Sequence, residues 1–137
     1  MGVTGLSVYN ASKFALEGLS EGLAHDLKPL GIKVTIIGPG GVRTDWSTAG
    51  LQRGENLMPE YAASSGERLS AITGNAGKQV GDPAKMAMAI LAVVDAEKPP
   101  LRLALGEDGL ALVRYKLSRL SKDADAWEAI SKSTSFD

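Results

Sequence analysis

Three features of this sequence predict an α/β fold built on a parallel sheet. An amphipathic helical pattern runs from Val8 to Leu27; the β-branched run Ile32-Lys33-Val34-Thr35-Ile36-Ile37 then breaks on Gly38-Pro39-Gly40-Gly41; a second helical pattern opens at Asp82-Pro83 and leads to Leu101-Arg102-Leu103-Ala104-Leu105. A strand, a helix and a strand in that order form a parallel crossover unit.

The first helix carries Leu16, Leu19, Leu23 and Leu27 at helical intervals, a stripe wide enough to pack on a sheet. Gly18 and Gly22 share a face of it. Each glycine costs about 1 kcal/mol in a helix, so the pair implies a close approach by another backbone, either this chain's own sheet or a neighbouring helix. Ser7 reads as a polar group at the helix N-terminus. Lys28 precedes Pro29 and is expected to leave helical angles, with Gly31 as the stop. Ile32 to Ile37, apolar nearly throughout and bounded by glycines, reads as a parallel strand buried on both faces.

Between Asp45 and Val80 the periodicity weakens, and the segment reads as a lid or a loop, with one helix from Met58 to Ile72. Trp46, Leu57, Met58 and Tyr61 form either an apolar substrate wall or the covered face of an amphipathic helix. Asp82 is a good N-cap, Pro83 suits the first turn, and Met86, Ile90, Leu91, Val93 and Val94 predict a core-facing helix. Pro99-Pro100 ends that region, and Gly106 closes the following strand. Leu110 to Leu120 and Trp127 to Ile130 read as helices before a polar tail.

At 137 residues the chain suits one domain with a core and is short for two. A net charge of -1 without a basic cluster argues against nucleic acid and anionic membrane as partners. There is no cysteine and a single histidine, His25, so neither a disulfide framework, a thiolate metal site nor a histidine-rich metal centre is expected. Met1 to Leu6 has neither the basic region nor the apolar core of a signal peptide, and Leu6 stands where myristoylation wants Ser or Thr. The longest apolar run, Met86 to Val94, falls short of the ~20 residues that span a bilayer. A cytoplasmic location is expected.

Chemistry concentrates in Ser7-Val8-Tyr9-Asn10-Ala11-Ser12-Lys13. Tyr9 and Lys13 stand four residues apart and lie above one another on a helix. A phenol beside an ammonium is a pairing suited to proton transfer, because the cation stabilises the phenolate. The loop Pro39 to Thr44 follows a strand, and in open α/β sheets ligands bind just beyond the carboxyl ends of strands. Gly40 and Gly41 let backbone approach a flat ring, and Thr44 offers a hydroxyl and an N–H to an amide. The Gly38-Pro39-Gly40 run is not a phosphate fingerprint, since no helix opens on its glycines.

Taken together, Tyr9-Asn10-Ala11-Ser12-Lys13, Phe14-Ala15-Leu16-Glu17-Gly18, the strand Ile32 to Ile37 and Pro39-Gly40-Gly41-Val42-Arg43-Thr44 resemble the second half of the short-chain dehydrogenase/reductase family. The resemblance covers about Leu6 to Gly106. It implies a three-layer α/β/α fold, the C-terminal part of a Rossmann-type doubly wound parallel sheet. Within it, residues 1–44 would be the catalytic helix, strand and nicotinamide loop, 45–80 the substrate lid, 81–106 the helix and last strand, and 107–137 a helical tail.

The resemblance further implies an NAD- or NADP-dependent interconversion of a small-molecule alcohol and carbonyl, with Tyr9 as acid/base. Lys13 would assist it and bind the nicotinamide ribose. Tyr9, Lys13, Pro39, Gly40, Val42 and Thr44 would contact the cofactor, Val42 near the ring and Thr44 near the carboxamide. Family members pair through the helix that carries the tyrosine, so a homodimer or homotetramer is expected of the full-length protein. The family's glycine-rich pyrophosphate turn and its catalytic serine lie upstream of the tyrosine helix and have no counterpart here. The chain is therefore expected to be a fragment that binds NAD(P) weakly or not at all by itself and is inactive alone. Two other roles compete with catalysis: a truncated paralogue that pairs with complete relatives, and a small-ligand module in which 45–80 closes over an apolar molecule.

Overall fold

A computed structural model describes residues 1–52, 54 and 58–136. Two strands, β1 (Ile36–Pro39) and β2 (Arg102–Leu105), pair in parallel, with Ile36 opposite Arg102 and Pro39 opposite Leu105. The helices are α1 (Ser7–Leu27), α2 (Glu67–Gly74), α3 (Pro83–Val94), α4 (Glu107–Ala126) and α5 (Glu128–Lys132). Among the described residues the chain is thus an α/β unit with a small parallel sheet, β1 and β2 being joined by a crossover that contains α2 and α3.

The first strand begins later than its composition suggests. Pro99 and Pro100 on the opposite segment have no N–H to give, so the ladder starts only where the Ile36 N–H donates to Leu101 O at 2.7 Å. Upstream, side chains replace the ladder: Thr35 Oγ1 donates to Pro100 O at 2.8 Å and Lys33 Nζ to Glu97 O at 2.6 Å. Nor is β1 buried on both faces, for Ile36 and Ile37 are half-buried and Gly38 and Pro39 exposed.

Two further expectations change at the level of local structure. Lys28 keeps helical angles (φ -54°, ψ -44°), because α1 tightens into a 3₁₀ turn, Lys28–Leu30, in whose first positions the missing Pro29 N–H has no bond to lose. Gly31, at φ 72°, is the stop. The helix expected over Met58 to Ile72 is a 3₁₀ turn, Pro59–Tyr61, a π turn, Ala62–Gly66, and then α2. Asp82 caps α3 as its sequence indicates, its Oδ1 accepting from the N–H groups of Ala84 at 2.8 Å and Lys85 at 3.4 Å.

Burial departs most from expectation. Only Leu6 and Leu105 among the described apolar side chains are buried, at 8% and 9% exposure. Ile90, Leu91 and Val94 of α3 are exposed, as are Leu16, Leu19 and Leu23 of α1. The surface totals 10590 Å². A compact 14.3 kDa monomer is expected to show about 6,800 Å². The apolar stripes are present, but little within the described residues covers them. Added Cβ atoms at Gly18 and Gly22 would meet nothing within 4 Å among the described residues, so these glycines do not serve packing on the described sheet.

Among the described residues Arg102 links α1 to the sheet. Arg102 of β2 sits 2.7 Å from Glu21 and 3.7 Å from Glu17. The hydrogen bond from the guanidinium, and then its charge, hold the Glu21 carboxyl below its ordinary value. A carboxyl lowered on folding stabilises the fold above its ordinary range and loses that contribution as pH falls through the lowered value. Acid titration of stability is therefore expected to contain a small component from this exposed pair, removed by Glu21→Gln. Thermal unfolding of both forms across acid pH reads it, and indistinguishable profiles would contradict it.

Candidate active site

The N-terminal segment is fastened to α1 by Asn10. Its Nδ2 donates to Val3 O at 2.8 Å and its Oδ1 accepts from the Val3 N–H at 3.2 Å. This bidentate clasp sets the start of α1, on whose first turn Tyr9 stands. Ser7 is the first residue of α1 but makes no side-chain cap; the cap position is Leu6. One turn on, Lys13 Nζ lies over the Tyr9 ring at 5.5 Å from its centroid, so the helical spacing does bring ammonium and phenol together.

Beyond β1 the chain turns into the loop Pro39 to Thr44. The Gly40 N–H donates to Leu105 O at 2.8 Å, continuing the ladder past the end of β1. Val42 then pairs with Gly81 in an isolated parallel bridge, bonded from Gly81 N–H to Gly41 O at 2.9 Å and from Arg43 N–H to Gly81 O at 3.1 Å. Arg43 Nε donates to Gln79 O at 2.6 Å. Thr44 caps the 3₁₀ turn Asp45–Ser47, its Oγ1 accepting from the Trp46 N–H at 3.5 Å. That turn aims Trp46 back at α1, where its ring lies 5.4 Å from that of Tyr9 at an interplanar angle of 49°. Tilted aromatic pairs at this distance attract one another through their quadrupoles.

Two cavities meet at this pair of rings. One, of about 670 Å³, lies between the loop, α2 and α3, and is lined by Tyr9, Pro39, Gly40, Val42 and Thr44 together. The other, of about 1300 Å³, lies between the start of α1, Trp46 to Gln52 and the turns leading into α2. Tyr9 and Trp46 line both. Lys13 lines neither and stands behind the phenol ring. In the wall of the smaller cavity Gln79 Nε2 donates to Ser47 Oγ at 3.3 Å, Ser47 being 2% exposed. Gln79 Oε1 is buried without a hydrogen-bond partner among the described residues.

The chamber beside the loop has a lining of mixed polar and apolar groups. Its volume is that of a small-molecule site, and backbone, hydroxyl and amide groups converge there on apolar walls. The glycines serve this less directly than their sequence suggests. A Cβ on Gly40 would overlap the Asp108 carboxylate, whereas one on Gly41 would make only ordinary contact with Asp108 Oδ2 at 3.4 Å and Gln79 Cγ at 3.5 Å. The room that the missing side chain of Gly40 leaves is occupied by this chain's own Asp108.

The first 55 residues match the family model described as short chain dehydrogenase. The fold aligns with a crystal structure of a short-chain dehydrogenase from Streptomyces avermitilis at a TM-score of 0.82 and 40% identity, over 98% of this chain and 48% of that one. The chain belongs to the short-chain dehydrogenase family. Oxidoreductase BOA17 of Botryotinia fuckeliana is 34% identical over 96% of this chain and 47% of its own length. Human 17-beta-hydroxysteroid dehydrogenase type 1 is 34% identical over 85% of this chain and 37% of its own. The chain thus spans about half the length or less of these relatives.

Of the wall expected from the 45–80 segment, Trp46, itself 37% exposed, is the member seated against Tyr9; Met58 and Tyr61 are more exposed, and Leu57 lies outside the described residues. Asn10, Gln79 and Asp108 escape a reading of the sequence. Asn10 follows Tyr9 directly, but its partner Val3 belongs to no helical pattern, and the other two act across long gaps in the chain. No helix among the described residues is long and apolar enough to cross a membrane.

Proposed function

We propose that this chain is the catalytic C-terminal half of an NAD(P)-dependent oxidoreductase that interconverts a small-molecule alcohol and a carbonyl. The observation that carries the reading is Tyr9, whose ring joins the loop-lined cavity to the larger one and carries Lys13 on its face. In this reading the nicotinamide is held by Pro39, Gly40, Val42 and Thr44, and the larger cavity takes the substrate. When bound, the cofactor supplies or accepts the hydride. Tyr9 donates a proton to the carbonyl oxygen in reduction and removes it from the hydroxyl in oxidation. Lys13, outside both cavities, stabilises the phenolate left behind, and the family resemblance gives it the nicotinamide ribose as a further partner. Two relatives named for a hydroxysteroid and for 3-ketodihydrosphingosine support an alcohol/ketone substrate class.

The exposed apolar faces support a doubly wound, three-layer arrangement in which a second α/β half completes the sheet and brings the rest of the cofactor site. The open glycine face of α1 supports pairing of subunits into a homodimer or homotetramer. A cytoplasmic setting fits such a protein. Titration of the whole protein with NADH and NADPH, followed by turnover with a panel of neutral ketones, tests the proposal. Cofactor binding with ketone-dependent oxidation is the expected result, and absence of both would overturn it.

Trp46 offers a further test. Trp46→Ala removes the ring that borders both cavities and faces Tyr9, so the KM for an apolar ketone is expected to rise about tenfold, the scale of a lost aromatic contact plus its buried area. Cofactor affinity should change less. Steady-state kinetics against each ligand in turn makes the comparison, and equal losses for both would contradict the partition.

A further inference from the structure

The loop assigned to the nicotinamide is held from outside by an acid that belongs to none of its own elements. Asp108, in the first turn of α4, accepts the Gly41 N–H on its Oδ2 at 2.7 Å. Its carboxylate fills the space beside Gly40, where a Cβ has no room, and its Oδ1 would lie 2.8 Å from a Cβ on Gly106, a residue already at φ 84°. The next residue, Gly109, is buried against the same loop: a Cβ there would stand 2.9 Å from Gly40 N and 3.3 Å from Gly40 Cα. Four glycines on two elements therefore converge on one carboxylate and one helix turn.

The contact is specific in what it fixes. Gly40 gives its N–H to Leu105 O, and Gly41 gives its carbonyl to the Gly81 N–H, so both residues are already tied to the two flanking segments. The Gly41 N–H is the donor those ties leave over, and Asp108 takes it. Removing the carboxylate frees that donor and opens a gap beside Gly40, at the turn from which Val42 and Thr44 project. A loop of glycines has many conformations to lose on binding, so a contact that selects one of them lowers the cost of binding.

We propose that Asp108 is a positioning residue for cofactor binding, holding the Gly40-Gly41 turn in the shape that presents Val42 and Thr44 to the nicotinamide. The proposal rests on the assignment of that loop to NAD(P), and its test separates the two. Hydrogen exchange at the Gly41 amide reports the contact without cofactor, and direct titration reports the use of the loop.

Asp108→Ala is expected to speed Gly41 exchange and weaken NAD(P)H binding about five- to tenfold, the scale of one charge-assisted hydrogen bond. The rise in cofactor KM should exceed any fall in kcat. Asp108→Asn retains an acceptor of the same shape and is expected to bind within about twofold of the parent, since the carbonyl can take the same N–H. Should the alanine variant fold poorly, Asp108→Ser, whose side chain is too short to reach the Gly41 N–H, takes its place and should show the same loss of affinity. Unchanged cofactor affinity in Asp108→Ala, or a loss in Asp108→Asn as large as in the alanine variant, would overturn the proposal. A parent protein that binds no NAD(P) sinks the loop assignment itself, and this is seen before any variant is made.

Discussion

Tyr9→Phe is expected to lower turnover by about 10²- to 10⁴-fold, the range that a positioned acid/base contributes, and to leave NAD(P)H affinity within about twofold. The phenyl ring still fits against Trp46 and still accepts Lys13 over its face, because both contacts are with the ring and not the hydroxyl. What it lacks is the proton. The split between kcat and cofactor Kd is therefore the signature, measured by single-turnover kinetics beside a binding titration. Turnover near the parent's would remove Tyr9 from the chemistry.

The second large effect concerns the frame of the loop. Gly81→Ala places a Cβ 2.5 Å from Gly41 O and 3.2 Å from Val42 Cα, both backbone atoms that cannot swing aside, and 2.7 Å from Met86 Cε, which can. The bridge between Val42 and Gly81 has to open, at a stability cost of about 1–3 kcal/mol, typical of overpacking. Gly74→Ala is the contrast. It closes α2 with nothing within 4 Å of the added methyl, and alanine is the better helix former by up to about 1 kcal/mol. Denaturant unfolding of the two variants should move in opposite directions, or the second not at all; equal destabilisation would contradict the packing described for Gly81.

How much of this could be read from the residues follows from the range over which each feature acts. Local features were legible. Asp82-Pro83 announces the start of α3 because cap and first turn are neighbours in sequence, and Tyr9 with Lys13 meet because one helical turn separates them. The α/β class and the parallel pairing follow from the element order, and the family from the motif around Tyr9 with the loop after β1.

The strand boundary at Ile36 was not legible, since it depends on Pro99 and Pro100 lying opposite, more than sixty residues away. The Asp108 contact, spanning 67 residues, has no local signature at all. Burial departs from the sequence pattern for a different reason. Periodicity tells which side chains want cover but not what provides it, and Ile90, Leu91 and Val94 keep a helical stripe while standing exposed. The 45–80 segment was blurred because its helical turns change pitch from 3₁₀ to π to α, and no single period describes them.

The proposed chemistry is tested most directly by following the hydride. With NADH or NADPH deuterated at the transferring position and a neutral ketone as substrate, mass spectrometry of the alcohol formed by the whole protein is expected to show one deuterium on the carbinol carbon. Tyr9→Phe should form little of that product in the same time. An alcohol without deuterium, or product formed equally fast by the Tyr9→Phe variant, would contradict the assignment of this site to hydride transfer with Tyr9 as its acid/base.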